Sequence, residues 1–402
     1  MIKNLDKKIR GYALKNAIHY GGKANPGSVI SALFNDGLEK KDAKLVMPKI
    51  QDAINEISKL SLSEQKKEYE KLKEILSERE SREGLPELPD MKGDVIMRFR
   101  PAPSGPLHIG NMIGAGLPTY LYIKKYSGKF YVIVDDTDPE KTLPESYENI
   151  ERDCDWMFQK TPTYISSSDR MDLYYEYAVK LIEKKKAYVC ECSSEKFKEL
   201  AMKKINCPCR KKSVEENVKD WNKMLSKEGF KEGESVLRFK SNMKDPNPAY
   251  RDFPLARINL TLHPKQRNKY RVWPLMNLVV AVDDMELKMT HIIRGKDHKD
   301  NAERQKMIFK VFKKKFPWTF FMGRIKFKDL VLSKRKLTEG VKSGEFSGED
   351  DPKLATVISL KKRGYKPEAF YRFIEERGLT EVDKIIGQAD FFSVIEKFNK
   401  II

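Results

Sequence analysis

Apolar side chains recur at helical spacing through the first eighty residues. Ile2, Leu5, Ile9, Tyr12, Ala13 and Ala17 fall on one face, and Gly21-Gly22 stops that run. Over 64–80, Tyr69, Leu72, Ile75 and Leu76 form a second stripe amid charges. Residues 82–92, with Gly84, Pro86 and Pro89, read as a linker. From Asp94 the pattern changes. Val95-Ile96-Met97 predicts a strand, 112–126 a helix, and Phe130-Tyr131-Val132-Ile133-Val134 a second strand running into Asp135-Asp136-Thr137-Asp138-Pro139. A strand–helix–strand unit with polar strand ends belongs to a parallel, doubly wound sheet. Leu278-Val279-Val280-Ala281-Val282, followed by Asp283-Asp284, predicts a later buried strand of the same sheet. From 346 onward the pattern is helical again, with 353–362, 367–378 and 391–400 as candidate helices. Internal repeats and low-complexity tracts are absent from the sequence.

At 402 residues the chain has room for two to four domains. A hydrophobic fraction of 40% with 20 Phe and 17 Tyr argues for a packed core and against disorder. Lys and Arg number 78 against 59 Asp and Glu, a net charge of 78 − 59 = +19. This excess suits a polyanionic partner such as nucleic acid, with salt-sensitive binding; a generally Lys-rich proteome is the alternative source. No run approaches the ~20 apolar residues of a membrane span. The start, Met1-Ile2-Lys3-Asn4-Leu5-Asp6, lacks the apolar core of a secretory signal. A cytoplasmic location without membrane attachment is therefore expected, and its five Cys are then thiols or metal ligands rather than disulfides.

The most informative segment is Arg98-Phe99-Arg100-Pro101-Ala102-Pro103-Ser104-Gly105-Pro106-Leu107-His108-Ile109-Gly110-Asn111. Its Pro- and Gly-rich turn delivers a His-x-Gly pair to a helix N-terminus, where backbone N–H groups and the helix dipole attract phosphate. Far downstream lies Val331-Leu332-Ser333-Lys334-Arg335-Lys336, after strand-like Arg324-Ile325-Lys326-Phe327. Alone, such a run is an ordinary basic loop. Cys190-x-Cys192 and Cys207-Pro208-Cys209 are separated by 14 residues, a spacing that lets four thiolates surround zinc. A disulfide within a Cys-x-Cys pair would be strained, so free thiols are the competing reading. Cys154, in the helix-like stretch 151–158, reads as core.

The loop and the Ser-Lys run, in this order, resemble the class I aminoacyl-tRNA synthetases in their glutamyl/glutaminyl branch. Further matches are Ser168-Asp169-Arg170, Tyr174-Tyr175, Lys186-Ala187-Tyr188-Val189-Cys190, Asn247-Pro248-Ala249-Tyr250-Arg251-Asp252 and Asp350-Asp351-Pro352. At the N-terminus, Ala13-Leu14-Lys15-Asn16-Ala17 and Gly22-Lys23-Ala24-Asn25-Pro26-Gly27 resemble the extension of archaeal-type glutamyl enzymes.

The resemblance implies an α/β fold: a Rossmann-like parallel-sheet catalytic domain with an inserted acceptor-binding domain, an N-terminal helical extension and a C-terminal helical stem-contact domain. The expected boundaries are 1–92 for the extension and linker, 93–187 and 272–345 for the two Rossmann halves, 188–271 for the insertion with its four cysteines, and 346–402 for the stem-contact part. The implied reaction is ATP- and Mg²⁺-dependent glutamate–tRNA ligation. His108 and Lys334 would be catalytic, with Ser104, Gly105, His108, Gly110, Asn111, Ser333 and Lys334 on ATP. Arg98 and Arg294 would face the glutamate side chain, beside Met276, and Asp135 its ammonium group. The partners would be glutamate and the tRNA acceptor end and stem. Cys190, Cys192, Cys207 and Cys209 would hold structural zinc in the insertion, flanked by the basic residues Lys203, Lys204, Arg210, Lys211 and Lys212.

Several positions depart from the family pattern. Ile133 stands where Arg is common, Met276 replaces a pocket Tyr, Asn277 an Asp and Lys288 a Gly. Asn111 replaces the second His of the loop, Val331 a Lys, and Glu349 a Trp. Family members also continue into two anticodon-reading β-barrels, whereas this sequence stops about where they would begin. A naturally short enzyme, a separate anticodon-binding chain and a shortened piece of a longer chain all account for this, the latter two being preferred. The altered pocket leaves two other readings open: glutamyl transfer to a modified tRNA base, and a non-catalytic tRNA-binding paralogue. Discrimination between the tRNAs for glutamate and glutamine is also open.

Overall fold

The computed structural model describes residues 4–77 and 84–402, which divide into two compact units, 1–81 and 82–402. The first unit is helical. Its helices are α1 (Leu5–His19), α2 (Pro26–Asn35), α3 (Ala43–Ile57) and α4 (Leu62–Leu72), continued by a 3₁₀ turn at Lys73–Ile75. Asn25 caps α2 and Ser61 with Glu64 forms a capping box on α4, so sequence-local signals fix these starts. Ile9, Ala13, Leu14, Leu33, Ile50 and Ile57 are buried together in its core. The predicted stripe over 64–80 begins at α4. Its end, the start of the 82–92 linker and the first three residues of the chain lie outside the described residues.

The second unit carries the sheet. β1 (Ile96–Phe99) pairs in parallel with β2 (Lys129–Val134), and β2 with β3 (Thr163–Ser166). β8 (His291–Gly295) pairs in parallel with β9 (Trp318–Met322). The Thr290 amide donates to the Ile96 carbonyl at 2.9 Å, which sets β8 beside β1. The spatial order is therefore β3-β2-β1-β8-β9. Between β1 and β2 the chain runs through a short helix, α5 (Ile109–Asn111), a π-type turn (Met112–Gly116) and α6 (Leu117–Tyr126). α7 (Ser146–Met157) connects β2 to β3, and α8 (Met171–Glu183) follows β3. This is the Rossmann-like α/β arrangement expected from the strand–helix–strand pattern.

An antiparallel sheet, β4-β5-β6-β7, interrupts it: β4 (Ala187–Cys190), β5 (Val236–Phe239), β6 (Pro254–Ile258) and β7 (Val272–Pro274). Two helices, α9 (Ser194–Met202) and α10 (Val214–Leu225), lie between β4 and β5. The chain then re-enters the parallel sheet through α11 (Met276–Glu286) and continues after β8 through α12 (Lys299–Val311). The remaining elements are β10 (Ile325–Phe327), α13 (Lys334–Lys342), α14 (Val357–Lys362), α15 (Pro367–Arg377), β11 (Lys384–Ile386) and α16 (Gln388–Ile401).

Two sequence expectations change here. The run 278–282 is not a strand: it lies inside α11, all of it buried. Its Val-rich composition favours a strand locally, but a fully buried apolar run has no exposed face, and so no periodicity, to reveal its geometry. Helical spacing places Met276, Val280 and Asp284 in one i, i+4 row. The C-terminal part is also not wholly helical, because β11 pairs in parallel with β10.

Candidate active site

The C-terminal ends of β1, β2, β8 and β9 open onto a cavity of about 620 Å³, the position at which parallel α/β sheets take ligands. One wall is the Pro- and Gly-rich loop. Its Ile109 amide donates to the Ala355 carbonyl and the Val357 amide to the Leu107 carbonyl, both at 2.9 Å, so the loop rests on the segment before α14. Gly105 holds φ +133°, and a Cβ there would meet the Thr338 hydroxyl at 3.1 Å. Both the dihedral and the close approach of α13 call for glycine. His108 caps α5 in extended conformation, and its amide donates to the Asn111 side chain at 3.2 Å. The imidazole is buried with Nδ1 unpartnered. Burial, with Lys334 nearby, pushes its pKa down to about 3, so the ring is neutral.

Lys334 opens α13, and its ammonium donates to the Ala102 carbonyl at 2.7 Å. Burial pushes its pKa down to about 8. Ser333 is exposed at the cap of the same helix. Of the expected nucleotide residues, His108, Gly110, Asn111 and Lys334 line the cavity; Ser104, Gly105 and Ser333 stand outside its lining.

At the other end sit three arginines, and their partners differ. Arg98, on β1, is buried and makes a bidentate pair with Asp284, at 2.5 and 2.8 Å. Arg100 donates to Asp283 at 2.7 Å and to the Ser167 hydroxyl at 2.7 Å, and reaches Asp135 at 3.4 Å. Burial opposes its charge, but Asp135 and Asp283 more than offset this and raise its pKa. Asp283 also accepts from Arg170 and from the Tyr174 hydroxyl, both at 2.8 Å. Arg294, on β8, has no carboxylate partner among the described residues. It donates to the Gln305 side-chain oxygen at 2.8 Å. Burial, then repulsion by Arg98, pushes its pKa down to about 9.

The two aspartates of α11 thus neutralise Arg98 and Arg100 and leave Arg294 as a buried guanidinium facing the cavity without an anion. A helix lets both adjacent aspartates reach arginines; in a strand they would point to opposite faces. Asp135 and Met276 line the same end. Sequence reasoning did not single out Arg100, Asp297, His298, Arg324 or Arg377, which also line the cavity. Arg100 lay in plain view within the loop motif, and Asp297 and His298 in the charged run directly after β8. Arg377, at the end of α15, carried no local signal. It donates to the Gly323 carbonyl at 2.8 Å.

A second cluster lies in the antiparallel unit. The Cys190 and Cys207 sulfurs are 3.6 Å apart, Cys192 and Cys207 3.6 Å, and Cys192 and Cys209 3.8 Å, with all four within 4.8 Å of one another. A zinc tetrahedron with bonds of ~2.3 Å has sulfur–sulfur edges of about 3.8 Å, whereas a disulfide needs ~2.05 Å. The four thiols therefore fit a tetrahedral metal. Nearby, Asp252 accepts from the Tyr188 hydroxyl at 2.7 Å and pairs with Arg210. Lys212 pairs with Asp220 at 2.6 Å and with Glu191. Arg210 and Lys212 are thus tied into the unit, while Lys204 and Lys211 are exposed. Cys154 is buried in α7, apart from this cluster.

Residues 94–399 match the family of tRNA synthetases class I (E and Q), catalytic domain. The glutamate–tRNA ligase of Methanocaldococcus jannaschii is 45% identical over 391 residues, covering 97% of this chain and 70% of its own length. The chain belongs to the class I glutamate–tRNA ligase family. The ligase of Pyrococcus abyssi is 44% identical over 399 residues, covering 96% of this chain and 69% of the relative. A solved glutamate tRNA ligase from Elizabethkingia meningosepticum, in complex with its amino acid, shares the fold. Its TM-score is 0.55 at 19% identity, over 77% of this chain and 69% of that one.

Two departures from the synthetase pattern have a structural context. Ile133 is buried against Met289 and Ile292. The β1–β2 register pairs Phe99 with Val132, so Arg100 is the next residue opposite Ile133 and brings a guanidinium to the neighbouring strand end. Glu349 accepts from the Asn149 side chain at 3.0 Å. Among the described residues, no helix is long and apolar enough to cross a membrane.

Proposed function

We propose that this chain catalyses ATP-dependent activation of glutamate and its transfer to the 3′ end of tRNA. The observation that carries the reading is Arg294, a buried guanidinium without a carboxylate partner among the described residues, in the same cavity as His108 and Lys334. An acidic side chain supplies the missing anion, and a neutral amide does not.

ATP enters with Mg²⁺ as its substrate complex. The glutamate α-carboxylate oxygen attacks the α-phosphorus, the bond from that phosphorus to the β-phosphate's bridging oxygen breaks, and pyrophosphate leaves. Neutral His108 donates a hydrogen bond to the phosphates. Lys334 leaves the Ala102 carbonyl and follows the charge as it moves to pyrophosphate. Asp135 receives the α-ammonium group. The terminal ribose 2′-hydroxyl then attacks the adenylate carbonyl carbon, its proton passes to the adenylate phosphate, and AMP leaves. Positioning and charge neutralisation suffice, with no dedicated base required.

In this reading 188–271 grips the acceptor end and 346–402 contacts the stem. Cys190, Cys192, Cys207 and Cys209 hold zinc, which would fix the fold of the β4–β5 connection. A cytoplasmic site follows from the substrates. The test is acid-gel charging of total tRNA with glutamate and with glutamine. Glutamate-dependent charging of the terminal ribose is the expected result. Product on an internal base would replace the acceptor, and tRNA binding without adenylate would remove catalysis.

A further inference from the structure

We propose that His263 is a positioning residue through which the inserted antiparallel unit fixes the amino-acid end of the cavity. It rests on the reading of Asp135 as the acceptor of the substrate ammonium group. His263 lies in the connection between β6 and β7 and is fully buried. Its Nδ1 accepts from the Lys265 amide at 3.2 Å and the Gln266 amide at 3.0 Å, so that nitrogen carries no proton. Nε2 therefore carries the hydrogen, and it lies 2.8 Å from the Asp136 carbonyl oxygen, to which it donates. The ring stacks on Trp273 with centroids 4.8 Å apart and an interplanar angle of 26°. Tautomer and orientation are thus both set by the insertion itself. Burial lowers the imidazole pKa, which keeps this neutral donor in place.

Asp136 is clamped from two further directions. Its carboxylate accepts from the Ser168 amide and hydroxyl and from the Tyr147 hydroxyl, each at 2.7 Å. Asp136 does not line the cavity; Asp135, its immediate neighbour, does. The Asp135 amide donates to the Pro101 carbonyl at 3.0 Å, on the loop side. The Asp135-Asp136 segment is therefore held through the peptide before it by the loop and through the peptide after it by His263, while the Asp136 amide between them donates to the Val134 carbonyl at 3.1 Å. Loss of the His263 bond frees the C-terminal end of that segment and lets the Asp135 carboxylate turn away from the ammonium position.

The test is tRNA-dependent ATP–pyrophosphate exchange by the full chain, with glutamate and ATP varied separately and active sites titrated. His263→Ala should raise KM for glutamate about tenfold, the equivalent of one positioning hydrogen bond, with KM for ATP within twofold. His263→Gln, which can still donate to the carbonyl, should recover most of the loss. Tyr147→Phe, removing one bond from the opposite side, should shift KM for glutamate in the same direction by less and covers the case in which His263→Ala fails to fold. A merely structural role would lower the active-site titre and leave both KM values unchanged, which would overturn the proposal. An equal rise of both KM values would overturn it too. Asp135→Asn separates the two layers. If it raises KM for glutamate while the His263 variants are silent, only this inference fails. If Asp135→Asn is itself silent, the reading of the site fails and this inference with it.

Discussion

Replacing Arg294 by glutamine should stabilise the protein and cripple glutamate binding at once. A fall in pKa from the ordinary arginine range to about 9 corresponds to about 5 kcal/mol against the charged form, at ~1.4 kcal/mol per pH unit. Arg294→Gln removes that burden. The shorter side chain gives back about 1–3 kcal/mol in lost packing. The net is a stabilisation of about 2–4 kcal/mol, a rise of several degrees in Tm for a unit of this size. Because the folded-state pKa is depressed, the burden is present in full below pH ~9 and fades as pH rises from there toward the ordinary arginine range. The wild type should therefore gain on the variant only in strong alkali.

Function moves the other way. Loss of a buried, charge-assisted bidentate contact costs about 3 kcal/mol, so KM for glutamate in tRNA-dependent exchange should rise roughly 10²-fold. Glutamate should also raise Tm in the wild type and not in the variant. Scanning fluorimetry with and without glutamate, paired with exchange kinetics, reads both effects. A variant with lower Tm and unchanged KM for glutamate would refute the reasoning, because it would make Arg294 a structural group with a partner.

Further outcomes concern Lys334, His108 and the cysteine cluster. With Lys334 near pH 8 in the free protein, kcat/KM for ATP should fall about tenfold per pH unit above pH 8, and Lys334→Ala should remove that limb while lowering exchange by about 10²–10³; a flat wild-type profile from pH 7.5 to 9.5 would exclude Lys334 as a phosphate ligand. His108, neutral down to about pH 3, should contribute no limb near pH 6.5. For the cysteine cluster, a zinc-sensitive dye after thiol modification should read one zinc per chain, and Cys207→Ser should lower both zinc content and Tm; substoichiometric zinc in the untreated protein would leave four free thiols.

Much of this molecule was legible locally. The Pro- and Gly-rich loop, the strand before it, the β2 strand ending in aspartates and the two Cys-x-Cys pairs each announce themselves within a dozen residues. Their backbone requirements are met by neighbours in the chain: a turn at positive φ, a short apolar strand bounded by polar residues, two thiols with one residue between them. The α11 segment failed this test because its apolar residues are buried on all sides, so no exposed face remains to reveal the period.

The tertiary structure decided the charges. The sequence resemblance puts Arg98 and Arg294 in one role toward the substrate and does not single out Arg100 or its partner Asp283. Only the apposition of β1, β8 and α11, across 186 positions between Arg98 and Asp284, assigns a carboxylate to Arg98 and Arg100 and withholds one from Arg294. Only the fold of the β6–β7 connection brings His263 to Asp136, 127 positions away. The physical reason is range. Residue type and spacing encode backbone conformation over a few residues, whereas the free energy of a buried charge is set by whichever groups the sheet order brings within a few ångströms.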